Sequence, residues 1–456
     1  MLRAVMGGKT EGNEIWSFIP SLFLNKLKGL RDNAPGVTFP APVPATDFNK
    51  PYMIDGSLSL YAPDEDANCK PDKAWLFLTM RRGGRFIYAL NVTDRNNPTL
   101  MWQKSASDSG YGQLGQSWSR LKVILLPDAA APYRKPYLVF GAGYDPNAED
   151  RPFNTTTGLY GNPLTSRRDY GKGVFVVEAE TGRVKKFLAA GDFSIPSDLA
   201  VIPNINTGLA ERAYVGDTGG DIWKISFPTT AAGMSNDGNW VIQKFASLGD
   251  PTDLNKTGTN ARGFLYPPSV ARCGGKDMVL IGSGDREKPF DRVVQNRFYG
   301  IQDAGSGYPI TSSDLTDVTT LGIAVGATAQ GWYFNLSSGE KTVTSALTQG
   351  GTTHFATHEA GDNSGSQCIT ALGTAHGYRI KCATGWSEGY KAGADPVPRA
   401  IVVPGGGFLP SPIFAKVKVD GTGNSFGIIS TGGKTDATPS PLGTRRFTYW
   451  YREGLD

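Results

Sequence analysis

Cysteine, histidine and long apolar runs are what this sequence has least of. Its 456 residues include 4 cysteines and 3 histidines. Four cysteines without a Cys-x-x-Cys pair make neither a disulfide scaffold, nor a zinc ribbon, nor a thiol–disulfide centre. Three histidines supply acid–base catalysis poorly. No stretch approaches ~18 consecutive apolar residues, so no segment reads as a membrane-spanning helix. Charge of one sign is missing as well. The 46 Lys and Arg stand against 42 Asp and Glu, a formal net charge of +4. That makes no case for nucleic acid or an anionic membrane surface. There is no P-loop and no Gly-x-Ser-x-Gly elbow. Leu2–Met6 is short and runs straight into a turn, so it does not read as a signal peptide.

What is present is turn chemistry between strand formers. The chain holds 58 glycines and 30 prolines, and aromatics make up 11%. A short unit recurs: an apolar strand, a turn, then an aromatic or apolar stop. It runs from Met1–Met6 to Ile15-Trp16, and from Phe86–Val92 through Asp94 to Trp102. It runs again from Val174–Glu180 through Thr181-Gly182 to Val184, and from His376–Cys382 through Thr384-Gly385 to Trp386. Such recurrence in an all-β chain predicts radial repetition of small sheets, a β-propeller, with the chain starting inside one sheet. No boundary divides it, so residues 1–456 read as one domain. Strands are expected at Ala74–Thr79, Phe86–Val92, Tyr137–Phe140, Val174–Glu178, Ala213–Val215, Asp221–Phe227, Met278–Ile281, Arg297–Gln302, Gly427–Ser430 and Arg446–Tyr451. The one amphipathic helical stretch is Ser21–Leu30, with Phe23, Leu24, Leu27 and Leu30 on one face. Asn33–Lys50 and Gly143–Lys172 read as long surface excursions.

Few residues suggest chemistry. Arg81-Arg82-Gly83-Gly84-Arg85 is either a basic turn between strands or a phosphate site. Asp217, in the Gly216–Gly220 turn, reads as a carboxylate that bonds turn amides. His354 and His358 have the spacing of a zinc-binding helix pair. Their segment reads as a strand, though, and no third ligand is evident. Gly282-Ser283-Gly284-Asp285 looks like a phosphate cradle but sits at a hairpin, with no helix following. Cys368 and Cys382 flank a plausible hairpin, so a disulfide is expected between them if the chain is exported. Cys69 and Cys273 either pair or stay free.

Longer strings carry a resemblance. They are Met80–Arg85 followed by Tyr88–Asp94, Ser194–Asp198 before Arg212–Gly220, and Leu280–Glu287 followed by Asn296–Tyr299. Gly331-Trp332-Tyr333 before Ser338–Lys341, Gly405–Gly407 before Pro410-Ser411-Pro412, and the closing Thr448–Tyr451 complete them. In this order, over nearly the whole chain, they resemble the C-terminal β-propeller of the PilC/PilY family of type IV pilus tip-associated adhesin and biogenesis proteins. The resemblance implies a distorted, quinoprotein-like propeller of about seven blades with loop insertions. It implies the C-terminal part of a longer exported bacterial protein at the cell surface, the pilus tip or the outer membrane. It implies a non-enzymatic role in pilus assembly, in opposing retraction, and in surface attachment and twitching motility. Minor pilins and the pilus tip are the implied partners, with no surface receptor named.

Many family members carry a calcium loop, Asp-x-Asn-x-Asp-Gly-x-x-Asp, just before the Arg-x-Tyr-Val-Gly-Asp string. Here the stretch is Pro203–Glu211, and the ligand positions hold Pro203, Ile205, Thr207 and Glu211. One carboxylate and one hydroxyl do not meet calcium's need for six to eight oxygens, so no calcium and no other cofactor is expected. Two other readings stand beside the pilus module. A quinone-dependent dehydrogenase shares Thr-Gly propeller repeats but needs a carboxylate, a metal cluster and a stacking tryptophan, and no ordered set of these is found. A carbohydrate-binding propeller would use exposed Trp and Tyr in loops. Contact with partners is expected on Asn33–Lys50 and Asp145–Asp169.

Overall fold

The computed structural model describes residues 1–7, 12–33, 52–64, 68, 70–130, 133–154, 159–361, 373–391, 397–418 and 425–430. Strand makes up 40% of it and helix 8%, so the fold is all-β. The chain forms two compact units, Met1–Leu199 with Thr230–Trp240, and Ala200–Thr229 with Val241–Asp456.

The first unit contains two four-stranded antiparallel sheets, each paired in chain order. The first sheet is Leu58–Tyr61, Trp75–Thr79, Phe86–Asn91 and Thr99–Ser105. The second is Lys122–Pro127, Arg134–Gly141, Gly173–Glu178 and Val184–Ala189. A hairpin of Leu2–Val5 and Glu14–Phe18 precedes them. Alternation along each strand explains the packing. Phe77, Ile87 and Ala89 join Phe140, Phe175 and Val177 in one core cluster. Their neighbours Leu78, Tyr88 and Leu90 point the other way, into a second cluster. With both faces covered, the central strands read as unbroken apolar runs.

The second unit repeats the pattern three times. The third sheet is Ala200–Pro203, Ala210–Gly216, Asp221–Ser226 and Val241–Ser247. The fourth is Ser269–Cys273, Lys276–Gly282, Arg297–Gln302 and Gly331–Asn335. In the fifth, Glu340–Thr342 and Leu347–Gln349 both pair with Thr352–Glu359, and Thr374–Lys381 and Ala400–Val403 follow. The strand Lys276–Gly282 serves two cores. Val279 and Ile281 pack with Tyr214 and Phe245, whereas Met278 and Leu280 pack with Phe298, Phe355 and Tyr378. The rings of Phe298 and Phe355 stack with centroids 3.9 Å apart. Such pairs add about 0.5–1.5 kcal/mol beyond area burial. The connection after Gln302 forms a strap. Ile310–Thr311 pairs in parallel with the outer strand of the third sheet, and Thr316–Asp317 with the outer strand of the fourth.

The Thr-Gly turns have a second purpose beyond turning. The Trp102 indole N–H donates to the Ala179 carbonyl at 3.0 Å, and that of Trp332 to the Cys382 carbonyl at 3.2 Å. In each case a tryptophan from the outer strand of one sheet docks on the turn of the next. Gly182 and Gly385 both sit at φ +68, and a Cβ there would lie 2.8 Å from Trp102 and 2.6 Å from Trp332. Only glycine gives this backbone conformation and this clearance. Trp16 makes the same kind of bond to the Arg95 carbonyl, at 2.9 Å.

Two expectations need correction. Cys382 is bonded to Cys273, not to Cys368. Cys368 and Cys69 lie outside the described residues. The pairing follows from adjacency of the fourth and fifth sheets, which hairpin flanking does not reveal. The stretch Ser21–Leu30 opens as a 3-10 turn over Ser21–Lys26 and continues as an α-helix over Leu27–Arg31. The tighter winding changes the phase. Leu22, Phe23, Leu27 and Leu30 face the core cluster, and Leu24 is 55% exposed.

Candidate functional site

The arginine turn and the long insertion come together in the first unit. Arg81 adopts φ +47, and its guanidinium lies 4.5 Å over the Trp118 ring. Trp118 stacks on Tyr144, which opens the insertion, with centroids 4.4 Å apart. Arg82 makes a two-point ion pair with Asp150, at 3.2 and 3.3 Å. Arg85 donates to the Leu114 and Gly112 carbonyls and lies 3.7 Å over Tyr170. These arginines fasten the insertion to the first sheet. Arg82 and Arg85 donate inside the protein and Arg81 lies on a ring, which favours the structural reading of the basic turn over a phosphate site.

The insertion has a rigid base. The Asp145 carboxylate accepts from the Asn147 amide at 3.1 Å and from the Asp169 amide at 2.9 Å, so both ends of Asp145–Asp169 meet. Arg168 pairs bidentately with Glu149 at 2.9 and 3.2 Å, both side chains being buried, and its guanidinium lies 4.6 Å over Phe193. A paired, hydrogen-bonded charge of this kind tolerates burial, and removing one partner costs about 3–5 kcal/mol. Beyond the base, Phe153–Asn154 pairs with Leu159–Tyr160, and Arg151 donates to the Tyr160 and Gly161 carbonyls. Leu159 is exposed, and Leu164 is 85% exposed. Both leucines therefore lie on the solvent side of a fixed base, Leu164 next to Thr165, whose amide donates to the Asn147 carbonyl at 2.9 Å. Of the other excursion, Asn33–Lys50, all but Asn33 lies outside the described residues.

The stretch that matches the calcium loop is built differently. Asn204 Oδ1 accepts from the amides of Asn206 and Thr207, and the Thr207 hydroxyl accepts from the Leu209 amide. Glu211 Oε2 accepts from Asn204, and Oε1 faces Arg212 at 3.4 Å. Arg212 in turn pairs with Asp277 at 2.9 Å. Pro203 and Ile205 carry no side-chain oxygen, Ile205 is 57% exposed, and both oxygens of Glu211 are engaged. These residues do not fit a calcium ion.

The remaining candidates resolve as structure. His354 and His358 lie four residues apart on one strand, about 13 Å by strand rise, too far to share a metal. Burial, and then the Arg379 charge, lowers His354 to about 4. Among the described residues no three His, Cys, Asp or Glu side chains group closely enough to hold a metal ion. Asp217 accepts from the Gly219 and Asp221 amides, both at 2.9 Å, and from the Trp223 indole at 2.8 Å. Burial, and then the Asp221 charge, pushes its carboxyl up to about 7. In the Gly282–Asp285 turn, the Ser283 and Gly284 amides donate to the Arg297 and Gly263 carbonyls, leaving neither for an anion. Sequence reasoning missed Asp303. It accepts from the hydroxyls of Tyr214 and Tyr308, from Lys224 Nζ at 2.6 Å and from the Gly305 amide. Burial opposes its ionisation, but the Lys224 ammonium and the two hydroxyls outweigh it and hold the carboxyl at about 2. No motif marks Asp303, whose partners are up to 89 residues away.

A crystal structure titled Pseudomonas aeruginosa PilY1 C-terminal domain superposes on this chain with a TM-score of 0.62 at 19% identity, covering 95% of this chain and 91% of that one. In sequence, the type IV pilus biogenesis factor PilY1 of P. aeruginosa PAO1 is 27% identical over 343 residues, 69% of this chain and 26% of its own length. The PilY1 homolog of Xylella fastidiosa Temecula1 is 24% identical over 364 residues, 74% and 25%. The chain is similar in sequence to PilY1 proteins and in fold to the PilY1 C-terminal domain. It spans about a quarter of the length of these PilY1 proteins. No family model matches it.

Proposed function

We propose that this chain is a non-enzymatic module of a type IV pilus biogenesis factor. It belongs to an exported bacterial protein at the cell surface or pilus tip, where it supports assembly, opposes retraction and promotes attachment and twitching. The observation that carries this reading is the joint match, in sequence and over 95% of the chain in fold, to PilY1. The chain-ordered antiparallel sheets support a distorted propeller of about seven blades. The partners are minor pilins, met through the anchored insertion Asp145–Asp169; nucleic acid is not one. No helix among the described residues is long and apolar enough to cross a membrane.

Deleting this region from its parent gene is expected to remove or sharply reduce surface pili and twitching. Leu159→Asp with Leu164→Asp, two exposed positions of the insertion, is expected to leave folding intact and to weaken co-purification with minor pilins. Normal pili, motility and adhesion after deletion, together with loss of a quinone-dependent dehydrogenase activity, would replace this reading with the enzyme.

A further inference from the structure

Lys341 is a buried cation without a carboxylate hydrogen-bond partner. It lies at the start of the fifth sheet and is 1% exposed. Its Nζ donates to three backbone carbonyls: Pro289 at 2.7 Å, Asp291 at 3.0 Å and Gly339 at 3.0 Å. An ammonium has three protons, so every donor is used. Two of the carbonyls belong to the loop Asp285–Arg292 between strands of the fourth sheet, and the third belongs to the turn before Lys341. Burial, helped by the Arg292 charge, lowers the Lys341 ammonium to about 8, while the charges of Asp291, Asp285 and Glu359 act to raise it. The same loop wraps a second ammonium, Lys288 Nζ, 2.5 Å from Asp285. Arg292 fastens its far end to the Ala360 carbonyl at 2.7 Å.

Carbonyl oxygens converging on a dehydrated monovalent charge, with carboxylates nearby but not in contact, form the environment proteins use for free monovalent cations. The three carbonyls replace part of the ammonium's water, which limits the cost of burying the charge.

We infer that the loop Asp285–Arg292 and the turn at Gly339 form a monovalent-cation site whose resident ion is the tethered ammonium of Lys341. Its ligand class is potassium or ammonium and small alkylammonium ions. The lysine makes the loop's order independent of ions in solution, and removing the side chain opens the site to them.

The test uses the whole 456-residue chain as Lys341→Ala. Ammonium, methylammonium or potassium chloride, compared with choline chloride at equal ionic strength, is expected to raise its melting temperature by about 2–4 °C. The parent is expected to show no such selectivity. If Lys341→Ala does not fold in choline, the same small cations in the refolding buffer are expected to restore yield. An equal response to all four salts, or no restored yield, overturns the inference. A second readout needs no destabilised variant. The parent should show a slowly exchanging side-chain ammonium signal by nitrogen-15 NMR at neutral pH that disappears in Lys341→Met. Its absence in the parent also overturns the inference.

Discussion

Breaking the Cys273–Cys382 disulfide perturbs the protein mainly through its unfolded state. The bond joins positions 109 residues apart, and both cysteines are buried, at 3% and 1% exposure. Closing a loop of that length removes about 16 cal/mol/K of chain entropy from the unfolded ensemble, or about 4.8 kcal/mol at 25 °C. Native strain and residual unfolded structure usually lower the realised value, so about 3–5 kcal/mol is the expected loss for Cys273→Ser with Cys382→Ser. Trp332 donates to the Cys382 carbonyl, so its fluorescence reports the seam between the fourth and fifth sheets. Urea unfolding followed by tryptophan emission should shift to lower denaturant in the double variant, while the parent should be insensitive to mild reductant until it unfolds. Mass spectrometry of a non-reducing digest should show the Cys273 and Cys382 peptides linked. An unshifted urea midpoint in the double variant, or a peptide linking Cys368 to Cys382, would refute the reasoning.

Gly385→Ala combines left-handed backbone strain with a Cβ 2.6 Å from the buried Trp332 ring. About 2–4 kcal/mol of destabilisation is expected by thermal or urea unfolding, and Trp332→Ala in the same background should relieve part of it. Asp303→Asn should cost about 2 kcal/mol, because the group's low folded value stabilises the protein wherever the unfolded carboxyl is ionised. That contribution is present above about pH 4 and fades as pH falls through about 2, so parent and variant melting temperatures should converge in acid. A persisting gap would show that Asp303 acts through shape rather than charge. Calcium and a chelator should give the same melting temperature, and Glu211→Ala should lower it equally in both, through loss of the Asn204 and Arg212 contacts. Calcium-specific stabilisation abolished by Glu211→Ala would show that backbone carbonyls complete a calcium site around Glu211.

The parts of the fold legible in the sequence were those with two covered faces. Gly173–Glu178 and Lys276–Gly282 stand out because Val174–Val177 and Met278–Ile281 are apolar in both alternating sets of side chains. The inner and outer strands are harder to read: Leu58–Tyr61 alternates but turns leucines to solvent, and Val241–Ser247 mixes exposed and buried positions without a clear period. Turn chemistry at Asp217 was readable because its amide partners are two and four residues away. Its bond to Trp223 was not, since the side-chain geometry of the returning strand decides it. The same limit hid the tryptophan docks, the Cys273 pairing and the Asp303 hub. Each joins segments tens of residues apart that only sheet-on-sheet packing brings together. Within the insertion, its length pointed to exposure, but nothing in Glu149 or Arg168 announced a buried pair 19 residues apart.

The strap at Ile310–Asp317 has a consequence for the order in which the protein comes apart. Its two ends occupy hydrogen-bonding positions along the outer strands of the third and fourth sheets. Those edges are already partnered there, which bars a stray strand from adding at these positions. The strap is also continuous with the fourth sheet, leaving it after Gln302 and re-entering at Gly331. Peeling the third sheet's outer strand therefore pulls on the fourth, and loosening the fourth releases its grip on the third. The two should open as one cooperative block, with amide protection along Val241–Ser247 and Gly331–Asn335 rising and falling together.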